Sequence, residues 1–221
     1  MFKKAILAAA LVAAPGLASA GTVVFTDSFE VPVNTNDWQV YQNFGNWSSS
    51  APGTTGIEIQ QSGVVVNAHT GNQYVELDSD PSRGGINGAN TNSSMTRTLD
   101  LTAGLYELEW YYQPRTNTPN DNLLTVYLDG ASDALMTNAI GSENGTGANG
   151  WQQVKYSFSV DGTDNLYALT FAAGGIQNKL GGFVDSVTLT HVSPVPIPAA
   201  GFLLLGGLGG LVAMKRRKKA A

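Results

Sequence analysis

Three short runs set tyrosines, carboxylates and an arginine at alternate positions. In residues 74–78, Tyr74, Glu76 and Asp78 alternate with Val75 and Leu77. In residues 105–115, Glu107, Glu109, Tyr111, Gln113 and Arg115 alternate with Tyr106, Leu108, Trp110 and Tyr112, and in residues 124–129 Thr125, Tyr127 and Asp129 alternate with Leu124, Val126 and Leu128. Neighbouring residues of a strand face opposite sides, so the pattern predicts an apolar face toward a core and a polar face carrying Tyr74, Glu76, Glu109, Tyr111, Arg115 and Tyr127. Such a face suits a sugar. An aromatic ring stacks on the C–H face of a pyranose while carboxylate, amide and guanidinium groups take its hydroxyls. The same pattern also describes the ordinary solvent side of a β-sandwich, and spacing alone does not separate the two. Trp38, Tyr41 and Trp47 precede residue 56 in a loop-rich stretch, where they suit a binding rim or, for Trp38, a lid on the core.

Asp185 has the parity of Phe183, Val187 and Leu189, so the pattern predicts a carboxylate pointing to the apolar side. That is costly unless a backbone N–H, a loop cation or a bound ion compensates it. Catalysis has little support. His69 and His191, the two histidines, sit in no metal-ligand or nucleophile-elbow pattern, and no glycine-rich run leads into a helix. A glycosidase needs only two carboxylates across a cleft, and among seventeen such pairs arise by chance.

The charges concentrate this picture. Of twelve cations, two lie in residues 3–4 and five in residues 215–219, leaving Arg83, Arg97, Arg115, Lys155 and Lys179 against seventeen carboxylates, a net charge near −12 for residues 21–193. Such a field opposes phosphate backbones, which excludes nucleic acid as a partner and suits neutral sugars or divalent cations. There is no cysteine, hence no disulfide, thiolate nucleophile or zinc-thiolate site.

The elements that must position these residues read as strands. Runs rich in Val, Tyr, Thr and Phe at residues 23–25, 56–60, 63–66, 73–78, 94–99, 105–113, 123–129, 151–160, 166–171 and 183–190 alternate with Gly, Asn, Asp, Ser and Pro clusters. Helical periodicity is absent. The expectation is all-β: a β-sandwich with jelly-roll layout over residues 21–193, with residues 84–94 and 141–150 as surface loops.

Both ends differ from this middle. Lys3-Lys4, an apolar run at 5–14 and Ala18-Ser19-Ala20 form a signal-peptide pattern over residues 1–20, with cleavage between Ala20 and Gly21. Residues 194–221 hold a Pro-rich box, an uncharged span at 198–214 that covers most of a ~30 Å hydrocarbon core, and the basic cluster 215–219, whose charges keep it cytoplasmic. This order resembles the PEP-CTERM class of sorting signal, and Val195-Pro196-Ile197-Pro198-Ala199 is similar to its Val-Pro-Leu-Pro-Ala variant, with Ile197 in the place of Leu. The resemblance implies a transmembrane segment, processing by an exosortase-type membrane protease, and delivery to the cell surface or extracellular matrix. A plain C-terminal anchor is the alternative.

Asp27-Ser28-Phe29-Glu30, residues 71–77, residues 104–108 and Gly182-Phe183-Val184-Asp185-Ser186-Val187 resemble the galactose-binding-like jelly rolls, which include carbohydrate-binding modules. Asp27 stands where the family usually has Gly. The resemblance implies a structural Ca²⁺ held by Glu30 and Asp185 with backbone oxygens near Thr70. The functional expectation is an exported, non-catalytic protein that binds polysaccharide. A structural or adhesive matrix protein without a sugar site is the alternative, followed by a glycoside-active enzyme.

Overall fold

Alternating apolar residues between turn-forming clusters produce thirteen strands and no helix among the described residues. The computed structural model describes residues 20–50, 53–147 and 150–193. The signal-peptide position Ala18, the side chain of Ala20, the processing box Val195 to Ala199, the uncharged span and the basic cluster fall outside what it describes. No helix among the described residues is long and apolar enough to cross a membrane.

The unit Gly21–Val192 is a sandwich of two sheets. The seven-stranded sheet runs β11 (Gln152–Val160), β8 (Gly104–Gln113), β13 (Phe183–Ser193), β6 (Gln73–Glu76), β5 (Ile57–Gln61) and β2 (Trp38–Tyr41), with β1 (Ala20–Asp27) also paired to β13. The six-stranded sheet runs β10 (Ala139–Glu143), β9 (Leu124–Gly130), β12 (Tyr167–Ala173), β7 (Ser94–Leu99), β4 (Trp47–Ser48) and β3 (Asn43–Phe44). Along both paths the pairings are antiparallel. Strands β2, β3, β4 and β10 were not expected, and residues 63–66 form turns rather than a strand.

The inner faces follow the alternation. Tyr106, Leu108, Trp110 and Tyr112 of β8 and Leu124 and Val126 of β9 are buried in one core with Val75, Leu77, Leu169 and Phe171. Trp47 belongs to this core and not to a rim: Phe25, Phe29 and Phe171 pack around it at 5.9–6.1 Å, and its Nε1 donates to Asp27 Oδ2 at 3.0 Å.

Two corrections change the polar face. Tyr127 lies on β9 in the six-stranded sheet, whereas Tyr74, Glu76, Glu109 and Tyr111 lie on β6 and β8 in the seven-stranded sheet, so the sandwich separates them. Strand parity gives the side within a sheet and carries no information on which sheet a strand joins. Asp185 does not face the core. A bulge between Asp185 and Thr188, with Ser186 at φ 54°, switches the parity of β13. Val187 and Leu189 join the core, while Phe183 and Asp185 share the outer face with their partners Gln113 and Tyr111.

Candidate functional site

Outer-face residues of the seven-stranded sheet are buried because a loop folds over them. Residues 62–72, between β5 and β6, are fixed at four points. Tyr74 Oη accepts the N–H groups of Val65 and Val66 at 3.4 and 3.2 Å, and Trp151 Nε1 donates to Asn67 O at 2.8 Å. Asp185 Oδ2 accepts the N–H groups of His69 and Thr70 at 2.8 and 3.0 Å. Glu30 Oε1 accepts those of Asn72 and Gln73, both at 2.9 Å. The structure thus brings Glu30 and Asp185 to one loop, where each grips a pair of successive amides. Burial raises the Asp185 carboxyl to about 6 against the pull of these N–H groups. Among the described residues no group of three or more His, Asp or Glu side chains is arranged to hold a metal.

The same loop covers Tyr111. The His69 ring stacks on it at 3.4 Å, while His69 Nδ1 is 2.9 Å from Ser186 Oγ. Glu109 pairs with Lys155 Nζ at 2.5 Å and accepts from Gln153 Nε2 at 2.7 Å; the lysine bond holds its carboxyl below the usual range.

Beyond the loop a cleft of about 130 Å³ opens on this face, lined by Trp38, Glu58, Gln60, Val64, Val65, Asp80, Arg115 and Lys179. Its floor is built by register. Glu58 stands opposite Glu76, and Gln60 stands opposite both Tyr74 and Trp38. Gln60 Nε2 donates to Glu58 Oε1 at 2.8 Å and to Glu76 Oε2, and Gln60 Oε1 accepts the Tyr74 hydroxyl at 2.7 Å. Glu76 has no exposed surface; its oxygens accept Arg115 Nη1 at 2.8 and 2.6 Å and Gly181 N–H at 2.7 Å. Glu58 Oε2 accepts Asp80 N–H at 2.7 Å. Buried Asn122 sets Arg115 in place by accepting the N–H groups of Arg115 and Thr116 at 2.8 and 3.1 Å.

Two buried carboxylates face one guanidinium. Burial raises Glu58 to about 7, and burial followed by the Glu58 charge raises Glu76 well above the carboxylate range. Near neutral pH the pair therefore tends to retain a proton, and the floor presents both donors and acceptors. One wall is aromatic. Val40 N–H donates to Arg83 O at 2.8 Å, which holds the Arg83 guanidinium 4.8 Å from the half-buried Trp38 ring. The other wall carries Lys179, paired with Asp80 at 3.3 Å.

Of the residues expected to bind ligand, Arg115 lines this cleft and Glu76 and Tyr74 support its floor. Glu109 and Tyr111 lie elsewhere on the same sheet, and Tyr127 lies on the other sheet. Sequence reading missed Glu58, Gln60, Asp80 and Lys179, and it left Trp38 open between lid and rim. The alternation Glu58-Ile59-Gln60 in residues 56–60 was the available signal.

No protein-family model matches the sequence, and no curated protein sequence matches it. Solved structures do. The K2 cleaved adhesin domain of Lys-gingipain is similar at 17% identity and TM-score 0.52, over 75% of this chain and 98% of that one. The K1 adhesin domain of Lys-gingipain from Porphyromonas gingivalis W83 is similar at 14% identity and TM-score 0.52, over 76% and 98%. The fold is that of these adhesin domains. The CBM22-1 xylan-binding domain of Paenibacillus barcinonensis Xyn10C is similar at 12% identity and TM-score 0.47, over 81% of this chain and 99% of that one.

Proposed function

We propose that this domain is a non-catalytic polysaccharide-binding module whose site is the Trp38–Glu58–Gln60–Arg115 cleft. The observation that carries the reading is the convergence of an aromatic wall with a floor of carboxyl, amide and guanidinium groups that other strands hold rigid. Hydroxyls need both donors and acceptors, and the Glu58 carboxyl, the Gln60 amide and the Arg115 guanidinium that line the cleft offer both. Catalysis is disfavoured by Glu76, whose oxygens are taken by Arg115, Gly181 and Gln60 and have no surface to reach a sugar. A glycan-array screen of the full chain tests the proposal. Binding to one or a few polysaccharide classes is expected, and a blank array would favour the second reading, an adhesive matrix protein that binds other proteins, to which the likeness to adhesin domains lends support.

The proposal extends to where the module works. Export through residues 1–20 and exosortase-type sorting through residues 194–221 would deliver it to the cell surface or matrix. The surface-extracted protein should then begin at Gly21 and lack Lys215 to Ala221 by intact mass; a retained basic tail leaves the plain membrane anchor. A calcium ion shared by Glu30 and Asp185 would have to compete with the amide donors that face these carboxylates, and an Asp185→Asn melt with and without calcium tests it.

A further inference from the structure

Asp78 is fully buried, and the fold treats its two carboxylate oxygens differently. Oδ2 accepts the N–H groups of Asn178 at 3.1 Å and Leu180 at 3.0 Å. Oδ1 has no hydrogen-bond partner among the described residues. Asp78 forms an antiparallel bridge with Asn92, flanked by the bonds from Ser79 N to Thr91 O at 2.9 Å and from Ser93 N to Leu77 O at 2.6 Å. That pattern makes Asp78 and Asn92 a non-hydrogen-bonded pair, the kind whose side chains lie closest, with Cα atoms about 4.5 Å apart. Asn92 Nδ2 donates to Gly175 O at 3.1 Å, while its Oδ1 is also buried and without a partner. Both side chains therefore reach toward segment 175–180, and each leaves one oxygen without a donor. Thr91 Oγ1 also lacks a partner, but alternation places Thr91 on the opposite face.

Among the described residues no donor reaches either oxygen. Turning the Asn92 amide over would set its oxygen against the Gly175 carbonyl. The neighbouring cations are engaged elsewhere, Lys179 with Asp80 at 3.3 Å and Arg115 with Glu76 at 2.6 Å. A buried carboxylate without a countercharge is strongly unfavourable.

We propose that Asp78 Oδ1 and Asn92 Oδ1 are side-chain ligands of a divalent cation of the calcium type, completed by backbone carbonyls and water. An all-oxygen, irregular donor set suits calcium better than zinc, which favours nitrogen and sulfur, or magnesium, which demands an octahedron. The site differs from Glu30 and Asp185, where Glu30 Oε1 and both Asp185 oxygens accept amide N–H groups, and it does not depend on the glycan reading. Its consequence falls on the cleft, because segment 175–180 carries Lys179, whose side chain lines the wall and whose carbonyl accepts Arg115 Nη1 at 3.3 Å.

Calorimetric titration of the chelator-stripped full chain with CaCl₂ tests the proposal. Saturable binding is expected, and Asp78→Asn and Asn92→Ala should each weaken it about tenfold or more. Asp78→Asn keeps the side-chain shape and replaces a buried, unpartnered carboxylate oxygen, so folding should survive; Asn92→Ala is the independent second variant. Asp185→Asn should bind calcium as the wild type does. The site is overturned if the wild type shows no saturable binding, if both variants at the bridge bind normally, or if Asp185→Asn alone abolishes the titration.

Discussion

Glu58 and Glu76 stand opposite each other in β5 and β6 and draw on one donor, the Gln60 amide nitrogen. Neither is free to ionise as an exposed glutamate would, because burial raises both and the Glu58 charge raises Glu76 further.

This pair gives stability an acidic bias. Glu58 is raised from 4.5 to about 7 and Asp185 from 3.8 to about 6, so the folded state holds these protons more tightly than the unfolded chain. Their contribution is complete below the unfolded values and is lost as pH rises through about 6 and 7. The Glu58 share is at most about 3 kcal/mol. Asp80, Glu109 and Asp129, all lowered, act in the other direction and lose their contribution only as pH falls below the usual carboxylate range. Thermal melts should therefore show stability declining from about pH 5 to pH 8, and Glu58→Gln should flatten that decline.

Arg115 neutralises Glu76, which has no exposed surface. Arg115→Met should destabilise the fold by about 3–5 kcal/mol, since it leaves a buried carboxylate unpaired. Adding Glu76→Gln should recover part of the loss. Urea unfolding of the single and double variants measures both, and additive losses would show that the two residues are not coupled.

Tyr111 and Tyr127 should behave differently. Tyr127→Ala alters the other sheet, so glycan affinity should not change. Tyr111→Ala removes the ring on which His69 stacks, and hydrogen exchange at the His69 and Thr70 amides should speed up. Unchanged protection there would mean that Asp185 holds the loop without help from the stack.

Much of the sandwich was legible because period-two alternation reports directly on burial: in β8 each residue expected to face inward does so. The bulge at Ser186 was not legible, since one inserted residue reverses parity without a sequence mark beyond an unremarkable Asp-Ser pair. Strands β3 and β4, two residues each, are too short for any pattern to show. The site was legible only in part. Arg115 and Glu76 came from alternation, but their partnership with Glu58 depends on which strands pair, and Tyr74 and Asp185 are buried by a loop whose path no local pattern gives.

The Trp38 wall is where the central claim is most exposed to test. Isothermal titration of a polysaccharide identified on the array, with wild type and Trp38→Ala side by side, measures it. The expected result is a loss of about tenfold or more in affinity, near 1.4 kcal/mol, in a variant that still unfolds cooperatively, as for removal of one stacked ring from a folded protein. Equal affinities in the two proteins would contradict a glycan site in this cleft.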